Sequence, residues 1–130
     1  MVSAADLASV PLFAELDEPQ LVELAGWFEE RDVSAGTRLT GEGAAGYSFY
    51  VLADGAASVS AGGDMIASLR PGDFFGEVAI LGDGRRSATV TTTADSTVLA
   101  MFGTEFRRLQ NAQSAIADSI AAAMRLRVAV

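Results

Sequence analysis

Residues 72–90 read Gly72-Asp73-Phe74-Phe75-Gly76-Glu77-Val78-Ala79-Ile80-Leu81-Gly82-Asp83-Gly84-Arg85-Arg86-Ser87-Ala88-Thr89-Val90, and this stretch constrains fold and chemistry more than any other. It sets an acid, Glu77, on a short turn led by Gly76. After the tight turn Gly82-Asp83-Gly84 come Arg85 and Arg86, then the small residues Ser87 and Ala88, then an alternating run. A carboxylate accepts hydrogen bonds from a sugar hydroxyl, and a guanidinium fork matches phosphate oxygens. Backbone N–H groups at the start of a helical turn add donors for an anion. The set therefore suits a small ligand with one anionic phosphate and a vicinal hydroxyl. Taken singly, each charge has a plainer reading: Glu77 as a first-turn carboxylate favoured by the helix dipole, Arg86 as an exposed cation at a strand entrance. Arg85 and Arg86 can exchange roles on paper, and the spacing from Glu77 favours Arg86.

Outward from this stretch, residues 31–102 alternate with a period of two and are punctuated by glycine. Tyr47 to Leu52 is the clearest apolar strand. Ala56 to Ala61 and Met65 to Leu69 flank Gly62-Gly63-Asp64 and predict a hairpin, while Thr89 to Thr93 and Thr97 to Phe102 complete the strands. Many short strands with tight turns point to a sandwich or jelly roll. Helical spacing brackets this region. Residues 3–9 are too brief for an independent helix. Asp17 reads as an N-cap with Gln20 closing a capping box, and Leu21, Leu24, Ala25 and Phe28 predict a helix over 18–28 with Trp27 at its edge. After Gly103, Thr104 reads as the cap of a short helix carrying Phe106 and Leu109, broken over Asn111 to Ser114. Ile116, Ile120, Ala123 and Met124 then stripe a longer helix ending near Arg127.

The chain has 130 residues, half of them hydrophobic, enough for one domain with a core. No apolar run reaches the roughly 18 to 20 residues of a membrane-spanning helix, and the N-terminus lacks the pattern of a secretory signal. A cytoplasmic protein without membrane insertion is the expectation. Cysteine and histidine are absent, which removes disulfides, zinc-finger geometry, thiol nucleophiles and imidazole bases. No acidic loop has the ligand spacing of a metal site, so neither metal nor cofactor is expected. All nine cations are arginines, a bias that a GC-rich genome explains. The net charge of −8 argues against nucleic acid as a direct partner. A phosphate must be held by local groups against that field, and Arg85, Arg86 and a helix terminus are the concentrated supply.

The 72–90 segment closely resembles the phosphate-binding cassette of cyclic nucleotide-binding domains, the family of the catabolite activator protein and the protein kinase A regulatory subunits. The resemblance extends from about Leu12 to Arg127 through the Gly41-Glu42-Gly43 turn, the Phe49-Tyr50-Val51-Leu52 strand with Gly55, and the Leu69-Arg70-Pro71-Gly72-Asp73 turn. It implies a single bacterial-like domain over 1–130: N-terminal helices over 3–30, a β jelly roll (double-stranded β-helix) over 31–102 with a short helix in the cassette, and two C-terminal helices over 104–128. It implies that Glu77 bonds the ribose 2′-hydroxyl and Arg86 the phosphate, with Gly76, Val78, Ala79, Ser87 and Ala88 completing the ligand-binding set. Arg85 stands where many members carry proline. The Arg-Ser-Ala order is similar to that of several bacterial cAMP-binding members, whereas a hydroxyl residue at position 87 can also favour cGMP. The ligand expectation is thus cAMP ahead of cGMP.

In this family the last helix closes over the base. Met124, Leu126 and Val128 are the apolar candidates there, and Arg125 or Arg127 can stack a guanidinium on a purine. Leu69, Phe74 and Phe75 read as core or pocket wall, and the final helix equally as a stripe that packs on the barrel or a second subunit. The implied function is a sensor without catalysis, signalling through its C-terminal helices to an effector protein or to an effector domain absent from this chain. The chain is either a free-standing domain or part of something longer. The competing expectation is an orphan module of the same fold used for dimerisation or docking. An enzyme is disfavoured, because Glu77 and Arg86 look like a recognition pair and cupin-type metal chemistry needs histidine.

Overall fold

Capping boxes begin the first two helices. In the computed structural model, which describes residues 2–40, 48–76 and 88–128, the Asp6 N–H bonds the Ser3 hydroxyl at 3.3 Å and the Asp6 carboxylate accepts from the Ser3 N–H at 2.9 Å. This box starts α1 (Ala4–Ala8), which buries Leu7 completely. The short segment is therefore helical after all: reciprocal capping and one anchoring leucine supply what length alone does not. A 3₁₀ turn (Pro11–Phe13) follows. Asp17 and Gln20 form the expected second box, both bonds 3.0 Å long, at the head of α2 (Glu18–Ala25). That helix ends earlier than its apolar spacing predicts, because Gly26 caps it. Trp27 and Phe28 leave through bonds to the carbonyls of Leu24 and Ala25.

Among the described residues eight strands follow: β1 (Glu29–Val33), β2 (Arg38–Thr40), β3 (Ser48–Asp54), β4 (Ala57–Ala61), β5 (Asp64–Leu69), β6 (Phe74–Phe75), β7 (Thr89–Thr92) and β8 (Ser96–Phe102). They form two antiparallel four-stranded sheets, sheet A in the order β1-β8-β3-β6 and sheet B in the order β2-β7-β4-β5. This is a jelly roll. The β4–β5 hairpin turns on Gly62 and Gly63, with φ of 60° and 85°, a pair of left-handed conformations that suit glycine. Asp64 belongs to β5, opposite Ala61. At the other end of the roll the buried Thr92 hydroxyl accepts from the Thr37 N–H (2.9 Å) and donates to the Ser34 carbonyl (2.8 Å), tying the β1–β2 connection to β7.

β8 runs directly into α3 (Gly103–Ala112), and Gln113 separates it from α4 (Ser114–Val128). Thr104 is not the cap. The extended backbone of Phe102 occupies that position with no side-chain bond, and Gly103 opens the helix. Ile116, Ile120 and Met124 form the expected buried stripe on α4.

Alternation along β3, β6 and β8 of sheet A creates two cores. Phe49, Val51, Leu99 and Met101 face the helices and pack with Leu7, Phe13, Leu24, Phe106, Leu109, Ile120 and Met124. Tyr50, Leu52, Val98 and Ala100 face the barrel interior with Phe75, Ala57 and Val90.

Candidate functional site

The route into the 72–90 segment is fixed by a turn pinned to sheet A. Arg70-Pro71-Gly72-Asp73 has the Pro-Gly order of a type II turn, with the Asp73 N–H on the Arg70 carbonyl (3.0 Å) and Gly72 at φ 98°. The Asp73 carboxylate also accepts from the Arg70 N–H at 2.8 Å. On either side, the Gly72 N–H bonds the Leu52 carbonyl and the Leu52 N–H bonds the Asp73 carbonyl (2.8 and 2.9 Å). The chain thus enters β6 in a set register, Val51 opposite Phe74 and Tyr50 opposite Phe75. Phe75 is buried and stacks on Tyr50, ring centroids 5.0 Å apart and planes 18° apart. Gly76 follows at φ 80°, a left-handed conformation that redirects the chain without a Cβ penalty.

The route out is equally defined. The Thr40 hydroxyl donates to the Ala88 carbonyl at 3.3 Å, and β7 begins at Thr89 between β2 and β4. The segment therefore leaves from the edge strand of sheet A and returns to an inner strand of sheet B. Its two described ends, Gly76 and Ala88, therefore lie at strands of different sheets. Glu77, Val78, Ala79, Arg85, Arg86 and Ser87 lie outside the described residues, as does the short cassette helix.

The remaining expected residues separate into two groups. Phe75 belongs to the barrel core and Leu69 packs half-buried against it, alongside Leu39 and Val59, so these two and Gly76 share one side of the molecule. Met124 is fully buried in the other core, among helix and outer sheet residues. Arg125 is exposed on α4, and Arg127 lies in the same helix, its side chain outside the described set. Exposed Leu126 borders a groove of about 640 Å³ between α4 and the 3₁₀ turn, with Pro11, Leu12 and Ala123 on its walls. Among the described residues no group of three or more His, Cys, Asp or Glu is placed to hold a metal ion.

Sequence reasoning overlooked a polar cluster on the inner face of sheet A. One cross-strand row places Glu29, Ala100, Tyr50 and Phe75 side by side. Arg31 starts in the neighbouring row opposite Val98, and its Nε lies 3.0 Å from Glu29 Oε1. Its guanidinium carbon lies 6.0 Å from the centre of the Phe102 ring. The hydrogen bond and charge of Arg31 hold the Glu29 carboxyl below its ordinary range. Arg31 is in turn raised, chiefly by its bond to Glu29, with smaller contributions from the Tyr50 oxygen. Nothing local in the sequence signals this cluster, because three strands must be in register before its members meet.

Comparison with known proteins agrees with this architecture. The cyclic nucleotide-binding domain family matches residues 30–113. A cAMP-dependent protein kinase regulatory subunit of Hypocrea atroviridis is 34% identical over 103 residues, covering 79% of this chain and 22% of that protein. A cGMP-dependent protein kinase of Toxoplasma gondii is 39% identical over 116 residues, covering 88% of this chain and 12% of the kinase. The chain therefore spans a quarter or less of either relative. Among solved structures, the N-terminal domain of a transcriptional regulator from Streptomyces coelicolor A3(2) superposes with a TM-score of 0.81 at 28% identity, covering 95% of this chain and 91% of that one. With its two-sheet roll, its pinned entry turn and its matching sequence, the chain belongs to the cyclic nucleotide-binding domain family.

Proposed function

We propose that this chain is a cyclic nucleotide sensor that binds cAMP in preference to cGMP and signals through its C-terminal helices. The observation that carries the reading is the complete Gly76-Glu77 and Arg86-Ser87-Ala88 set, strung between a β6 and a β7 that anchor it to both sheets. In this reading Glu77 accepts from the ribose 2′-hydroxyl and Arg86 grips the phosphate. Ser87 adds a hydroxyl donor, Ala88 lets the backbone approach closely, and Gly76 offers its N–H, with Val78 and Ala79 completing the short turn around Glu77. Charge-assisted bonds of this kind contribute roughly 1.5–3 kcal/mol each when shielded from water. Several of them with purine burial support micromolar binding after association costs.

The signal follows from differential affinity: a nucleotide that binds the closed arrangement better shifts the helices toward it. α4 is the element that moves in this reading, and Arg125 and Arg127 are the side chains available to stack on the base. Met124 joins them only by leaving the helical core it now fills. The effector is a separate protein or a further domain, as the kinase and transcriptional-regulator relatives suggest. A preference for cAMP is supported by the Arg-Ser-Ala order and by similarity to cAMP-dependent regulatory subunits.

The test is isothermal titration calorimetry with cAMP and cGMP on the parent, Arg86→Ala and Glu77→Ala. Saturable binding to the parent, at least about tenfold weaker in Arg86→Ala, is expected from the loss of one charge-assisted contact. Equal affinity of Arg86→Ala and parent would overturn the site assignment. Absence of binding to either nucleotide, with a flat thermal shift, would favour the orphan module.

A further inference from the structure

Arg31 has a local partner in Glu29 and yet reaches far beyond it. It leaves β1 opposite Val98, but its guanidinium lies against the Phe102 ring, two rows further along β8. The intervening position on β8 is Ala100, a buried methyl. Arg31 therefore passes over the row that Ala100 shares with Tyr50 and Phe75, and a larger residue at 100 would fill that path. Tyr50 borders the path on one side and stacks on Phe75 at 5.0 Å. On the other side Phe102 caps α3, and Gly103 is that helix's first residue. One continuous set of contacts thus runs across sheet A, from Gly76 at the head of the cassette to the root of the C-terminal helices.

We propose that Arg31 is a positioning residue for the nucleotide site: lying across Ala100 between Tyr50, Glu29 and Phe102, it holds the Tyr50–Phe75 stack, fixes the turn at Gly76, and couples that turn to the start of α3. The nucleotide part of this statement rests on the sensor reading above. The physical case is local. Gly76 sits in a conformation that its own side chain does nothing to enforce, so its direction is inherited from Phe75. As part of an edge strand, Phe75 is held by its pairing with β3 and by one ring, and that ring is bordered by a planar cation. Arginine suits the role because its fork can engage a carboxylate while its face lies on an aromatic ring; an ammonium group does not combine both. Coupling through such a contact set is a measurable energy rather than a picture, commonly worth about twofold to thirtyfold in affinity.

Two measurements decide it. The first needs no ligand: amide hydrogen exchange at Phe75, Gly76 and Gly103 in the free protein, for the parent, Arg31→Met and Arg31→Lys, with Arg108→Met as a control that loses only the Glu105 bridge. Arg31→Met keeps the stem and loses the fork, and it is expected to exchange at least about threefold faster at Phe75 and Gly76. Lysine should restore only part of the protection, and the control should match the parent. The second is calorimetric affinity for cAMP, expected to fall about threefold to tenfold in Arg31→Met and in Ala100→Leu. Ala100→Leu tests the same path from the opposite strand should Arg31→Met fold poorly. Unchanged exchange at Gly76 in Arg31→Met overturns the positioning role. Faster exchange with unchanged affinity overturns its link to the site. Should the parent bind neither cAMP nor cGMP, the sensor reading and the nucleotide part fall together, and exchange alone decides whether Arg31 fixes Gly76.

Discussion

The two faces of sheet A are packed to different depths. On the helical face, Phe49, Val51, Leu99 and Met101 are all essentially inaccessible, and Phe13, Phe28, Phe49 and Phe74 form a chain of tilted rings 5.9–6.3 Å apart. The barrel face meets a thinner partner. Sheet B offers the small buried side chains of Ala57 and Val90, while Leu39, Val59 and Leu69 are only half-buried and its edge strand β5 leaves Met65 69% and Ile66 61% exposed. The difference separates two tasks that one sheet performs. The helical face supplies most of the tightly packed apolar contact, while the barrel face carries Phe75, which leads into the 72–90 segment.

The sharpest way to break this comparison is to cut one large side chain from each face. Phe49→Ala removes a ring from the middle of the helical core and should cost about 3–5 kcal/mol, with a matching fall in thermal midpoint. Val59→Ala on the barrel side removes a half-buried side chain and should cost about 1 kcal/mol or less. Denaturant unfolding of the two variants measures both. Equal losses would mean that the barrel interior is as well packed as the helical core, and the division of tasks would fail.

A smaller effect sharpens the same picture at the closure of the roll. Gly55 lies at φ 96°, and a Cβ there would collide with Ser96 Oγ and approach the Asp95 carbonyl to 2.7 Å. The carbonyl, and the Ser96 Cα at the same 2.7 Å, belong to the backbone entering β8, so little can give way even if the Ser96 hydroxyl rotates. Gly55→Ala should cost about 1–3 kcal/mol for its conformation alone, with the collision in addition. A variant as stable as the parent would show that the β3–β4 turn can rearrange independently of sheet A. Gly36→Ala, left-handed at φ 85° but with open space around it, isolates the conformational part.

Legibility in the sequence follows the same division between local and distant causes. The Asp17–Gln20 box, the Gly62-Gly63 hairpin and the Pro71-Gly72 turn were readable because each is decided within four residues. So was the jelly roll, from its period and its glycines. α1 was not, because five residues become helical only when Ser3 and Asp6 cap them and Leu7 finds a core made by distant elements. β1 was not a clear strand either: Glu29-Glu30-Arg31-Asp32-Val33 has no apolar alternation, and it is held by its pairing with β8. The cassette residues were legible as a motif, and the structure adds how both of its ends are tied to the sheets. The Arg31 cluster was invisible, since only the register of three strands brings Arg31, Ala100 and Tyr50 together.

The smallest effect concerns the margin of the barrel face, where the Arg31–Glu29 pair meets solvent. Glu29 titrates below its ordinary value of 4.5, first through its hydrogen bond to Arg31 and then through that residue's charge. A carboxyl with a depressed folded-state pKa contributes stability that is present above its unfolded value and lost as pH falls through the folded one. The difference in thermal midpoint between the parent and Glu29→Gln should therefore be small but constant near neutrality, shrink as pH falls below about 4.5, and vanish once Glu29 is protonated. Solvent screening at this exposed position keeps the effect below that of either core substitution. If the difference instead persists unchanged in acid, Glu29 acts through its packing and not its charge. Arg31 would then be held over Ala100 by Phe102 and Tyr50 alone, and raising the salt concentration should leave its protection of Gly76 intact.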